Sequence, residues 1–147
     1  MNKADQILNC LQSIEKFNEI SGFLKVAPNG ELEYNLLKEE VLEFFDAHNK
    51  KDITGVRDAL ADIFVVLYGT ILKFGLKDEF WAILSEVCYS NLTKFCYDKE
   101  EAEESVRHYI AQGVDAFYDY NFDLKVYVIK RRDGKTLKSI NFVKPRL

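Results

Sequence analysis

Residues 59–72 constrain this chain more than any other stretch. Leu60, Ile63, Phe64, Val65, Val66, Leu67, Ile71 and Leu72 occupy almost every angular position of a helix drawn through them. A helix that is apolar all round is expected to be covered on all sides by other elements. The chain must therefore build a bundle rather than display one amphipathic helix. Asp62 is the single charge inside this run. A carboxylate taken out of water needs compensation, because its desolvation is costly even after the surroundings relax. Asp62 thus calls for a basic partner, a proton or a metal ion.

The rest of the chain supplies the bundle. Residues 3–20 place Ile7, Leu8, Leu11, Ile14 and Phe17 at three- and four-residue steps, which predicts an amphipathic helix. Ser21-Gly22 punctuates it and Pro28-Asn29-Gly30 marks a turn. A second helix is expected over 31–49, ended by Lys50-Lys51-Asp52, and a third over about 54–74, stopped at Gly75. A fourth covers about 77–95, and a fifth runs from an Asp98 cap to near Gly113. The period then changes. Residues 124–130 read as a β-branched strand, Asp133-Gly134 as a two-residue hairpin turn, and residues 135–140 as the returning partner. The fold class expected is mainly α: an antiparallel bundle of about five helices with a C-terminal β-hairpin. Two segments follow, an all-α body over 1–122 and a basic hairpin and tail over 123–147.

The helix before the apolar one carries Glu39, Glu40 and Glu43, and Asp58 stands one turn before Asp62. Glu39 and Glu43 share a helix face, and Glu40 borders it about 100° round. If the two helices pack antiparallel through Val41, Phe44, Leu60 and Ile63, all five acids approach one seam. Carboxylates gathered this way repel and tend to take up protons. A divalent cation relieves that conflict, and hard oxygen ligands suit Mg²⁺ or Mn²⁺. The bland reading is a solvated acidic face, with Asp62 paired to Arg57 or Lys38.

The string Leu36-Leu37-Lys38-Glu39-Glu40-Val41-Leu42-Glu43, followed by Asp58-Ala59-Leu60-Ala61-Asp62-Ile63, resembles the all-α nucleoside triphosphate pyrophosphatases. That superfamily includes MazG-like proteins, dimeric dUTPases and phosphoribosyl-ATP pyrophosphohydrolase. Its motif is Glu-Glu-x-x-Glu on one helix and Glu-x-x-Asp on the next. Here Ala59 stands where the second motif has Glu, and Asp58 lies one residue earlier. An i,i+4 pair still shares a face, so Asp58 can substitute. Ser90-Asn91-Leu92-Thr93-Lys94 looks like the superfamily's Asn-x-x-Lys element.

The resemblance implies Mg²⁺-dependent hydrolysis of a nucleoside triphosphate, dUTP or a non-standard one, to the monophosphate and pyrophosphate. By that analogy Glu39, Glu43, Asp58 and Asp62 hold the metal and Glu40 activates water. Asn91, Lys94, Ser90 and Lys38 are the candidates for substrate contact. Phosphoribosyl-ATP pyrophosphohydrolase activity is one alternative, and a non-catalytic nucleotide-sensing module is another.

Composition bounds the remaining classes. With 48% hydrophobic and 30% charged residues the chain can bury a core and stay hydrated. No uncharged apolar stretch is long enough to span a membrane. The net charge of −4 hides a basic end, since residues 125–147 hold eight Lys or Arg against Asp133 alone. The acidic remainder argues against nucleic acid as a general partner, and the basic hairpin is a candidate cover for a triphosphate. Cys10, Cys88 and Cys96 have no metal-type spacing, so Cys88 and Cys96 are expected as buried thiols and the protein as cytoplasmic. An all-round apolar helix needs more cover than four other helices offer, so a homodimer or homotetramer is expected.

Overall fold

The computed structural model describes residues 2–147. It is mainly α, with five helices followed by one antiparallel hairpin. The elements are α1 (Lys3–Ile20), a 3-10 turn (Phe23–Lys25), α2 (Glu31–Asn49), α3 (Ile53–Lys73), α4 (Phe80–Leu92), α5 (Lys99–Ala111), β1 (Ala116–Asn121) and β2 (Val126–Arg131). The chain divides into two compact units, Met1–Phe80 and Trp81–Leu147.

In the first unit local chemistry sets each helix start. Asn2 accepts from the Asp5 N–H at 2.9 Å and begins α1. The Glu33 carboxylate reaches back to the Gly30 N–H at 2.7 Å and begins α2. Asp52 belongs to the start of α3 rather than the end of α2. Its Oδ1 accepts from Thr54 at 3.1 Å and Gly55 at 3.0 Å, satisfying two of the donors a helix leaves open. The short α2–α3 connection makes these two helices antiparallel neighbours. Their near ends come so close that a Cβ on Gly55 would lie 3.0 Å from that of Ala47. Ile14, Tyr68 and Ile71 form the buried core of the unit, with Leu11, Val65 and Leu72 packed on it.

Two expectations about this unit are corrected. The helix α3 is not covered on all sides within one chain: Leu60 is 51% and Phe64 46% exposed, and Leu67 is exposed as well. The seam with α2 also differs from the one expected. Val41 and Leu60 are exposed, whereas Leu36, Glu40, Phe44 and Ala47 of α2 and Val56, Ala59, Asp62 and Val66 of α3 are half-buried or buried. The seam follows three- and four-residue steps that carry Glu40 and Asp62 within it.

The second unit buries Cys96, Ala102, Ala116, Ile129 and Leu137. Its hairpin pairs Ala116 with Arg131 through Asn121 with Val126. The first strand therefore precedes the one read from the sequence, and the connection lies at residues 122–125. Asn121 Oδ1 closes it by accepting from the Leu124 N–H at 3.0 Å, while Lys125 takes a left-handed φ of 54°. The boundary expected between residues 122 and 123 falls in this connection. The Asp133-Gly134 turn does form, with the Gly134 N–H donating to Arg131 O at 2.9 Å. The chain after it pairs with β2 through a bridge between Lys130 and Thr136, made by Arg131 N–H to Lys135 O at 2.9 Å and Leu137 N–H to Ile129 O at 2.8 Å. Farther on, Ile140 N–H donates to the Ser105 hydroxyl of α5 at 3.0 Å and Val143 N–H to Thr93 Oγ1, just past the end of α4, at 3.0 Å. Cys96 is buried as expected, and burial pushes its thiol up; Cys88 is exposed, a correction, because the more buried stripe of α4 runs through positions 83, 86, 87 and 90 and passes it by. Among the described residues no helix is long and apolar enough to cross a membrane.

Candidate functional site

The acids of α2 and α3 share one electrostatic environment. Glu40 is half-buried, and its carboxyl is pushed above the ordinary range. Burial is the largest cause, followed by the charges of Asp62, Glu43, Glu39 and Asp58. Four of the acids singled out on the two helices thus act on the fifth, Glu40, with Asp62 the largest of the four charge effects. Glu39, Glu43 and Asp58 are exposed. Asp62 is half-buried rather than enclosed.

Among the described residues none of these five acids is in an ion pair. Among the described residues the ion pairs go elsewhere: Lys50 to Asp46, Lys77 to Glu15, and Lys73 to Glu33. Neither Arg57 nor Lys38 pairs with Asp62. Lys38 lies instead over the Tyr34 ring, 5.7 Å from its centroid. Among the described residues no three His, Cys, Asp or Glu side chains are gathered closely enough to hold a metal ion. The donor set nonetheless fits a hard divalent cation in kind, since it is all carboxylate, unpaired with cations and self-repelling.

Glu40 and Asp62 also line a cavity of about 540 Å³ that the sequence did not announce. Phe17 and Asn18 of α1, Phe23 and Val26 of the following connection, and Leu36 and Val65 supply other parts of its wall. Asn18 is 5% exposed, and its Nδ2 donates to Ile14 O at 2.8 Å. Gly69 of α3 makes room for it, because a Cβ there would lie 2.9 Å from Asn18 Oδ1. A glycine inside an apolar helix was the available signal, since such a residue weakens the helix unless packing needs it.

The connection over the cavity is held by a second feature missed in the sequence. Lys73 Nζ meets Glu33 Oε1 at 2.5 Å, with both side chains almost wholly buried. The same ammonium stands 4.1 Å from the centroid of the Phe23 ring. Lys73 holds the Glu33 carboxyl below its usual range, and the Gly30 N–H adds to the effect. One buried cation thus ties the end of α3 to the start of α2 and to the aromatic wall of the cavity.

Ser90, Asn91 and Lys94 lie in the second unit. Ser90 is buried, and its hydroxyl donates to Val143 O at 2.7 Å, anchoring the C-terminal segment. Asn91 Oδ1 accepts from Lys94 Nζ at 2.6 Å. The helix α4 ends at Leu92, so Lys94 stands just beyond it. Among aromatic residues, Phe23 lines the cavity, while Trp81 and Tyr89 are exposed and Phe95 is half-buried.

Residues 24–91 match the family model of phosphoribosyl-ATP pyrophosphohydrolase. The matched segment contains all of α2 and α3, hence every carboxylate of the cluster, and ends at Asn91. The resemblance to the all-α nucleoside triphosphate pyrophosphatases is thus shown, and it is a resemblance to nucleotide pyrophosphohydrolases, which are hydrolases of acid anhydrides. The chain is also similar to an uncharacterized protein of Acanthamoeba polyphaga mimivirus, 31% identical over 153 residues. That alignment covers 92% of this chain and 59% of the viral protein, so the chain spans little more than half of that relative's length. No solved structure matches.

Proposed function

We propose that this protein is a divalent-metal-dependent hydrolase that cleaves a nucleoside triphosphate to its monophosphate and pyrophosphate. One observation carries the reading: burial and four neighbouring carboxylates on two facing helices, none of the five acids in an ion pair among the described residues, raise the proton affinity of Glu40. Such an arrangement is costly for a resting protein and useful to one that receives Mg²⁺ with a polyphosphate. The match of residues 24–91 supports the same class.

Glu39, Glu43, Asp58 and Asp62 are the residues that would hold Mg²⁺ or Mn²⁺. When bound, the ion neutralises phosphate charge and acidifies a water molecule. The protein's own part is separate. Glu40, half-buried and with its carboxyl raised above the ordinary range, is the group placed to accept a proton from the attacking water. The proposed centre is built from the first unit alone.

The family model favours one more substrate, phosphoribosyl-ATP, which carries the same triphosphate linkage. The exposed apolar side chains Leu60, Phe64 and Leu67 along α3 support a homo-oligomer. Incubation with a panel of nucleoside triphosphates and phosphoribosyl-ATP, with and without Mg²⁺, tests the reading. Metal-dependent pyrophosphate release from a panel member is expected. Tight nucleotide binding with no turnover would replace the hydrolase by a sensor.

A further inference from the structure

Lys73 lies in the last turn of α3, where a lysine ordinarily reaches out to water and is favoured by the helix dipole. Its side chain turns inward instead and is 1% exposed. On one side the ammonium meets Glu33 Oε1 at 2.5 Å, and on another it stands 4.1 Å from the centroid of the Phe23 ring. The other Glu33 oxygen accepts from the Gly30 N–H at 2.7 Å. Phe23 and Gly30 lie at the two ends of the connection between α1 and α2, so one buried lysine joins both ends. Gly22 and Gly30 take left-handed φ values of 74° and 80°, which lets the chain turn sharply there. Among the described residues, residues 23–28 make no hydrogen bond to α3, so the electrostatic tie between them runs through the Phe23 ring. A buried ion pair is often no more stabilising than apolar residues of the same volume, so packing alone does not call for one. What this pair adds is an arrangement of three segments.

We propose that Lys73 is a positioning residue that clasps the two ends of the 23–30 connection and holds it as a formed wall of the cavity beside the acid cluster. Its effect on turnover rests on the nucleotide reading, whereas the clasp itself does not. Phe23 and Val26 of the connection line the cavity of about 540 Å³ that Glu40 and Asp62 also line. Residues 26–30 are all exposed, so burial of their own side chains does little to fasten the segment. A ligand that meets a wall already in place loses less free energy to ordering it. Without the clasp only the molecules with the wall formed bind well, and apparent affinity falls by that fraction. The competing account is that the ion pair merely stabilises the first unit as a whole, in which case its loss loosens α1, α2 and the connection alike.

Digestion of the full chain by trypsin without ligand separates these accounts. Lys25 is exposed within the connection, and native cleavage there reports how often the segment opens. Lys73→Met keeps most of the side-chain volume and removes the charge. Removing one partner of a buried ion pair is strongly destabilising, so cleavage after Lys25 should speed up at least about tenfold. Cleavage after Lys16 in α1 and after Lys51 beyond α2 should stay at the wild-type rate. Equal acceleration at all three sites, or none at Lys25, overturns the proposal. Phe23→Leu keeps the ion pair and an apolar side chain, so it carries the same test if Lys73→Met fails to fold. An unchanged rate after Lys25 in that variant overturns the proposal as well. In pyrophosphate release from the triphosphate hydrolysed fastest, Lys73→Met should raise KM at least about threefold and leave kcat within about twofold, the pattern of a reduced binding-competent fraction. A fall in kcat at unchanged KM would contradict positioning. A panel of triphosphates with no turnover would remove the hydrolase, and the clasp would then stand or fall on cleavage after Lys25 alone.

Discussion

Replacing Tyr68 by Phe tests how tightly α1 is fastened to α3. Tyr68 is 3% exposed, and its hydroxyl donates to Glu15 Oε1 at 2.9 Å. Burial, followed by the Glu15 hydrogen bond and charge, pushes the phenol from 10.0 to about 12. The folded state then holds the proton more tightly than the unfolded state, so stability is complete below pH 10 and falls as pH rises toward 12. With 1.36 kcal/mol per unit, the loss is ~1.4 kcal/mol at pH 11 and approaches ~2.7 kcal/mol above pH 12. Tyr68→Phe has no proton to lose, but it gives up a hydrogen bond to a charged acceptor worth ~1.5 kcal/mol. The wild type should therefore be more stable by that amount near pH 9, and the two stability curves should meet near pH ~11. Lys77 also holds Glu15, at 2.8 Å, and its raised pKa makes its contribution fade in the same alkaline range. That contribution is common to both proteins and cancels in the difference. Urea unfolding followed by circular dichroism at stepped alkaline pH gives the comparison. Curves that run parallel, or a Phe variant as stable as the wild type near neutrality, would refute the coupling of Tyr68 to Glu15.

Three further changes probe the site and the surface. Glu40→Gln should lower pyrophosphate release by roughly 10²–10⁴-fold, the usual contribution of a general base, while metal-dependent nucleotide binding persists. The same variant should melt above the wild type in metal-free buffer at neutral pH, because a carboxyl with a raised pKa costs stability at pH values above its unfolded range; a lower melting point would contradict the repulsion. Asp62→Asn should abolish the Mg²⁺-dependent rise in melting temperature, and an unchanged response would place the ion elsewhere. Phe64→Asp, on a side chain 46% exposed, should shift the mass measured by light scattering from an oligomer to a monomer; an unchanged mass would remove α3 from the interface.

The helices were legible because each carries its own local signals. Asp98 caps α5 through the Glu101 N–H at 2.8 Å, and such a bond can be read from spacing alone. Asp52 shows the weakness of the same method: between two helices, one residue reads equally well as a stop and as a start. β1 was missed because Phe117-Tyr118-Asp119-Tyr120 mixes aromatic and acidic residues, and its pairing with β2 is a tertiary fact. The acid cluster was legible since three- and four-residue spacing fixes a helix face. The cavity was not, because the enclosure of Asn18 depends on Gly69, on another helix.

The original reason for suspecting Asp62 was its expected enclosure, and the structure replaces that reason with a different one. Asp62 is half-buried, so desolvation alone does not demand a metal. What remains unbalanced is charge. The cations of the first unit seen in ion pairs are engaged with other acids, Lys73 with Glu33, Lys77 with Glu15 and Lys50 with Asp46. Glu40 meanwhile sits among four like charges, the nearest in effect being Asp62. A fold that needed only a solvated acidic face had no cause to put one of these carboxyls in the seam between two helices, beside an apolar cavity. The placement is intelligible if the counter-charge arrives from outside, with the ligand.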